Sequence, residues 1–199
     1  IIDSTYYYGI YFGSNTVKCL NNTVNMRFNG SVNSVGIYCG QVQNNTNGMF
    51  CEINANKVFN AGQYGMSLGN FYSVSGWNHR VLNNMIGKFR TTGGAQTFGM
   101  YFNFSFYLDV DHNTINVDNP TTGGNRALFM AIYGPANVRN NIFTIMNTSA
   151  TNAIPVQFST SNAPTLTNNN YFSTLNSNII QTPNGTFTIT GAQLISDGK

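Results

Sequence analysis

Six times along the chain a small residue precedes an apolar, any, apolar triplet: Gly9-Ile10-Tyr11-Phe12, Gly36-Ile37-Tyr38-Cys39, Gly65-Met66-Ser67-Leu68, Gly99-Met100-Tyr101-Phe102, Ala127-Leu128-Phe129-Met130 and Ala153-Ile154-Pro155-Val156. The first apolar members are 27, 29, 34, 28 and 26 residues apart. One short strand recurring at nearly constant spacing cannot bury an apolar face alone, but stacked copies share a continuous core. The pattern therefore predicts an all-β fold, a right-handed parallel β-helix of about six coils of roughly 28 to 30 residues. Period-2 alternation turns Ile10, Ile37, Met66, Met100, Leu128 and Ile154 into one inward stack, with Phe12, Cys39, Leu68, Phe102, Met130 and Val156 as a second.

A second column places Asn two residues before a large apolar residue: Asn22 with Val24, Asn56 with Val58, Asn84 with Ile86, Asn113 with Ile115, Asn141 with Phe143 and Asn170 with Phe172. Asn tolerates the left-handed conformation of a tight corner, and stacked amides hydrogen-bond from coil to coil, so the column reads as an Asn ladder at a bend. The separation between the two columns is 12 or 13 residues in three coils, but 19 from Ile37 to Asn56 and 18 from Met66 to Asn84. Coils two and three are thus expected to carry adjacent protruding loops. The organisation expected is a single domain, with coils over residues 1–175 and a C-terminal strand or cap over 176–199, forming part of a longer chain.

Composition narrows the partners. Only 8% of residues are charged while 33 are Asn, so the polar surface is built from amides and hydroxyls. Nine scattered bases against six acids form no dense basic field, which excludes nucleic acid as the expected partner. Apolar runs are broken every few positions, well short of the roughly 20 residues of a membrane span. Cys19, Cys39 and Cys51 lack metal-ligand spacing and read as buried thiols, with a Cys19 to Cys51 bridge as the alternative.

Segments such as Val81-Leu82-Asn83-Asn84-Met85-Ile86, Val110-Asp111-His112-Asn113-Thr114-Ile115 and Val138-Arg139-Asn140-Asn141-Ile142-Phe143 resemble the pectin-lyase-like parallel β-helix repeats of secreted and surface proteins of bacteria, the Bacteroidota in particular. The resemblance covers about residues 8 to 175. It implies a secreted or cell-surface setting and two kinds of function, since lyases, hydrolases and non-catalytic adhesins share the repeat.

The expectation here is a non-catalytic adhesive or glycan-binding stalk, its partners a cell-surface polysaccharide and the rest of a parent protein, with no cofactor. Phe71, Tyr72, Trp77 and His79 in the loop of coil three are the candidate ligand contacts, because aromatic faces stack on sugar rings. The alternative is a polysaccharide lyase or glycoside hydrolase, possibly using calcium, with its site at Asp109, Asp111, His112, Arg80 and Arg139. Asp109 and Asp111 leave one face of a strand and are able to share acid and base work. Against this, Lys18, Glu52, Arg80, Asp109 and Asn137 align as an alternating-sign column, the pattern of a structural charge ladder. His112 occupies the corner column of Asn21, Asn83, Asn140 and Asn169, and Thr91-Thr92-Gly93-Gly94 and Thr121-Thr122-Gly123-Gly124 read as neighbouring turns.

Overall fold

The computed structural model describes the chain except for residues 4–6, 14–15, 27–32, 44–46, 92–93, 119–122, 147–152, 163, 175–177, 189–194 and 197–199. The described residues are all-β, without helix, and wind into a parallel β-solenoid of about five turns. Each turn contributes one strand to each of three faces. Face 1 stacks Tyr8–Phe12, Val35–Cys39, Tyr64–Gly69, Thr97–Ser105, Asn125–Ile132, Val156–Phe158 and Asn178–Thr182. Face 2 stacks Lys18–Leu20, Glu52–Asn54, His79–Leu82, Leu108–Asp111, Ala136–Arg139 and Thr165–Thr167. Face 3 stacks Ile2–Asp3, Thr23–Asn25, Lys57–Phe59, Met85–Gly87, Thr114–Val117, Ile142–Ile145 and Asn170–Ser173. All these neighbours pair in parallel, while Gly185–Thr188 and Ile195–Ser196 close faces 1 and 3 by antiparallel pairing.

The inward columns follow the expected register through five coils. Ile10, Ile37, Met66, Met100 and Leu128 are directly aligned, as are Phe12, Cys39, Leu68, Phe102 and Met130. The sixth coil differs: Leu128 pairs with Val156 and Met130 with Phe158, so Val156 and Phe158 replace Ile154 and Val156 in the two stacks. A two-residue shift keeps every side chain on its own side of the strand, so alternation alone does not detect it. Glycine at the head of four face 1 strands has a packing reason. A methyl group on Gly9, Gly36, Gly65 or Gly99 would collide with Val24, Val58, Ile86 or Ile115 across the core, so faces 1 and 3 approach only over glycine.

The corner between faces 2 and 3 holds the Asn ladder. Its rungs are Asn22, Asn56, Asn84, Asn113, Asn141 and Asn169, each side chain joined to the next by an amide hydrogen bond of 2.8 to 3.0 Å. Asn169 is the last rung rather than Asn170, and Tyr171 rather than Phe172 follows Phe143 in the core, their rings stacked at 5.8 Å. The left-handed turn also sits one residue earlier than expected. Asn21, Ala55, Asn83, His112, Asn140 and Asn168 have φ of 53° to 57°, so one residue bends the chain and its successor builds the ladder. His112 is a corner residue, as its column implied, although the last member of that column is Asn168.

The three cysteines are buried free thiols. Burial pushes the Cys39 thiol up to about 12 and the Cys51 thiol up to about 11. Parts of both Thr-Thr-Gly-Gly segments lie outside the described residues. Of the rest, Thr91 Oγ1 donates to the Gly62 carbonyl, and Gly123 lies against Gly94 and Ala95 of the preceding coil, as neighbouring turns require.

Candidate functional site

The outer side of face 2 carries the charged column in the expected order. Lys18 aligns with Glu52, Glu52 with Arg80, Arg80 with Asp109 and Asp109 with Asn137. Around Asp109 and Asp111 the partners are dense. Asp109 accepts from Asn78 Nδ2 at 3.1 Å and Asn137 Nδ2 at 2.7 Å, and Asp111 accepts from Asn140 Nδ2 at 3.0 Å. Arg139 Nη2 lies 3.1 Å from Asp111 and 3.8 Å from Asp109, and His112 Nδ1 lies 3.0 Å from Asp111. Asp109, Asp111, His112 and Arg139 thus form one cluster on a strand face, while Arg80 sets its guanidinium over the Phe50 ring at 4.5 Å. Asp109 Oδ1 and both carboxylate oxygens of Asp111 are engaged by amides, the His112 imidazole and the Arg139 guanidinium. Among the described residues, no group of three or more His, Cys, Asp or Glu is placed to hold a metal ion.

The loops of coils two and three are neighbours, since Val42–Gln43 pairs in parallel with Phe71–Tyr72. The four aromatic loop residues separate into two kinds. Phe71 and His79 are fully buried, with ring centroids 4.4 Å apart. His79 Nδ1 accepts from the Cys51 backbone N–H at 2.9 Å, which leaves Nε2–H to donate to the Tyr72 carbonyl at 2.8 Å. Burial, partly offset by that second bond, lowers the imidazole to about 4, so at neutral pH it is an uncharged strut. Trp77 is 40% exposed and Tyr72 is half-buried. Tyr72 belongs to a wider group: coil four bulges between Asn103 and Ser105, Phe104 takes a φ of 59°, and its ring meets Tyr133 at 4.7 Å and Phe106 at 5.5 Å. A left-handed Phe is strained, and here that strain turns an aromatic ring outward.

The most extensive aromatic surface is on face 1. Its outward column runs Tyr11, Tyr38, Ser67, Tyr101, Phe129 and Gln157 in register. Tyr11 and Tyr38 stack at 5.4 Å and 20°, and Tyr101 and Phe129 stack at 4.9 Å and 8°. Tyr8 joins the first pair at 4.8 Å from Tyr38, while Tyr64 and Phe98 join the second, each 5.2 Å from Tyr101. Tyr11 keeps 63% of its surface exposed. The loop aromatics stand out in the sequence, whereas this column occupies the middle position of the apolar, any, apolar triplets. Its sequence signal is the aromatic content of that middle position, Tyr11, Tyr38, Tyr101 and Phe129.

Face 1 is also almost free of charge. Among its described residues the one ionisable group other than tyrosine and cysteine is Arg126, which is buried and bonds Gln157 Oε1 at 2.6 Å and the Asn125 carbonyl at 2.9 Å. The charged side chains Lys18, Glu52, Arg80, Asp109, Asp111 and Arg139 lie on face 2, and Lys57 on face 3.

Fold and surface together define a parallel β-solenoid with one charged face and one aromatic face. No protein-family model, no curated protein and no solved structure matches the chain, so any functional reading rests on its own residues.

Proposed function

We propose that this chain is a polysaccharide-binding, adhesive stalk of a secreted or cell-surface protein, consistent with the pectin-lyase-like repeats it resembles. The observation that carries this reading is the outward aromatic column of face 1, stacked in two pairs, Tyr11 on Tyr38 and Tyr101 on Phe129, with Tyr8 and Tyr11 exposed and the other three rings partly so. Tyrosine rings bind sugars through their faces and their hydroxyls, and a rigid sheet holds them ready at little entropic cost. Trp77 supplies a second exposed ring on the coil-three loop.

Affinity electrophoresis against neutral and acidic polysaccharides tests the proposal. Retardation by a polysaccharide, with no new reducing ends or unsaturated sugars after long incubation with and without calcium, supports a binding stalk. Product release that Asp111→Asn abolishes favours instead the lyase or hydrolase reading around Asp109, Asp111 and Arg139. The lone tryptophan is a built-in reporter, since a fluorescence change on binding places the sugar at the Trp77 loop.

A further inference from the structure

Where face 1 ends, coils three and four each turn through one left-handed residue. Gly69 pairs with Asn103 and Tyr72 with Phe106, so the matching residues are Asn70, at φ 48°, and Phe104, at φ 59°. Asn is suited to that conformation, whereas for a bulky side chain it is an outlier. Relative to coil five, Phe104 is also an inserted residue, because Asn103 pairs with Ala131 and Ser105 with Ile132. A bulge re-aims a side chain, and a strained backbone persists only where its surroundings hold it. Coil four thus carries a ring where an Asn would suit the backbone better.

That ring is held open to solvent. Phe104 and Tyr133 meet at 4.7 Å and keep 40% and 48% of their surface exposed. Phe106 and Tyr72 stand edge-on to Phe104 at 5.5 Å and 6.3 Å. A methyl group on Gly134 would collide with the Phe106 ring, so the coil-five turn is kept bare beside it. Backbone N–H groups of Phe106 and Tyr133 donate to the carbonyls of Phe71 and Ser105, which ties the turns of coils three, four and five into one base.

Resting on the polysaccharide-binding reading, we propose that Phe104 and Tyr133 form a stacking platform for the apolar face of a sugar ring in a neutral glycan. The surroundings fit that ligand. Asn70 and Asn103 are exposed and adjacent, the Asn70 N–H donating to the Asn103 carbonyl at 2.8 Å, so amides able to bond sugar hydroxyls border the rings. No acid or base occurs among residues 70–78, 103–107 or 131–135, so a uronate or an amino sugar would find no opposite charge there. The rings are also fixed in place before the sugar arrives, which limits the entropy lost on binding.

The decisive variant is Phe104→Gly, which removes the ring and relieves the backbone at once. Binding of the whole chain to a soluble neutral β-glucan, xyloglucan and mannan is compared with polygalacturonate and alginate. The expected result is retardation by at least one neutral polymer, weakened roughly fivefold or more in Phe104→Gly and in Tyr133→Ala. The thermal midpoint of Phe104→Gly should equal or exceed that of the native chain. If Phe104→Gly loses its fold, Tyr133→Ala decides alone. Native-strength binding by either folded variant overturns the platform, and with Tyr11→Ala weakened instead the polysaccharide-binding reading stands on face 1. A native dimer that Phe104→Gly converts to monomer in sedimentation makes the rings a contact between copies and also overturns the platform. Binding confined to the acidic polymers overturns the neutral assignment, and no retardation by any polymer removes the polysaccharide-binding reading and the platform together.

Discussion

Asn84 and Asn113 are joined twice: Oδ1 of Asn113 accepts from the Asn84 backbone N–H at 2.9 Å and from Asn84 Nδ2 at 2.9 Å. Both amide hydrogens of Asn113 are spent as carefully, Nδ2 donating to Asn141 Oδ1 at 3.0 Å and to the Val81 carbonyl at 2.8 Å. One buried side chain therefore satisfies two backbone groups of the preceding coil, the Asn84 N–H and the Val81 carbonyl, at the point where the chain turns.

Asn113→Ala should be among the most damaging single substitutions in the protein. It strands the Asn84 N–H and the Val81 carbonyl and breaks the amide chain between Asn84 and Asn141. At about 1 to 3 kcal/mol for each buried group left unpaired, the loss is several kcal/mol. Chemical denaturation measures it, and a loss under 1 kcal/mol would show that water replaces the amide.

Ala55 is the weak member of the corner column. At φ 57° it adopts the conformation that Asn21, Asn83, Asn140 and Asn168 take, without a side chain suited to it. The left-handed region costs an ordinary L-residue roughly 1 to 2 kcal/mol, and Asn or Gly much less. Ala55→Asn and Ala55→Gly should each raise stability by about 0.5 to 1 kcal/mol. A lowered midpoint in both variants would mean that the Ala55 methyl group makes a contact worth more than the strain.

The thiols should behave as core residues. Cys39 and Cys51 are fully buried and their thiols are pushed up to about 12 and about 11, so scarcely any thiolate forms at pH 8. The native protein should react with Ellman's reagent over hours and the denatured chain within minutes, with three equivalents released. Fast reaction of one equivalent in the native state would point to local opening near Cys19, the thiol with most exposure.

The interior of the fold was legible because two independent periodicities agree, alternation within a strand and a coil length shared by all strands. Where either loses its uniqueness the reading slips. Asn168, Asn169 and Asn170 offer three candidates for one rung, and only the pairing of Phe143 with Tyr171 selects Asn169. Ile154, Val156 and Phe158 are all apolar at alternate positions, so the sixth coil had two acceptable registers. The candidate site was less legible for a related reason. Stacking of Tyr11 on Tyr38 and of Tyr101 on Phe129 depends on alignment of coils rather than on any local motif. Within the coil-three loop, nothing in the sequence separates exposed Trp77 from buried His79, because the latter is drawn inward by a backbone N–H 28 residues away.

His79 gives the protein a pH dependence whose direction is set by its burial. The folded imidazole is lowered from 6.5 to about 4, whereas in the unfolded chain it titrates near its ordinary value. Between those two values the unfolded state holds more protons than the folded one, so acidification favours unfolding. The stability lost on going from pH 7 to pH 4 through this one group is about 3 kcal/mol, at up to about 1.4 kcal/mol per unit, and above pH 7 its slope fades out. Protonation also takes away the lone pair on Nδ1 that accepts from the Cys51 N–H, which ties the acid response to the junction of coils two and three. Denaturation midpoints measured from pH 7 to pH 4 should fall steadily in the native sequence and much less in His79→Gln, whatever the variant's stability at pH 7. Parallel curves for the two proteins would assign the acid response to other groups and show that His79 accepts a proton without leaving its place.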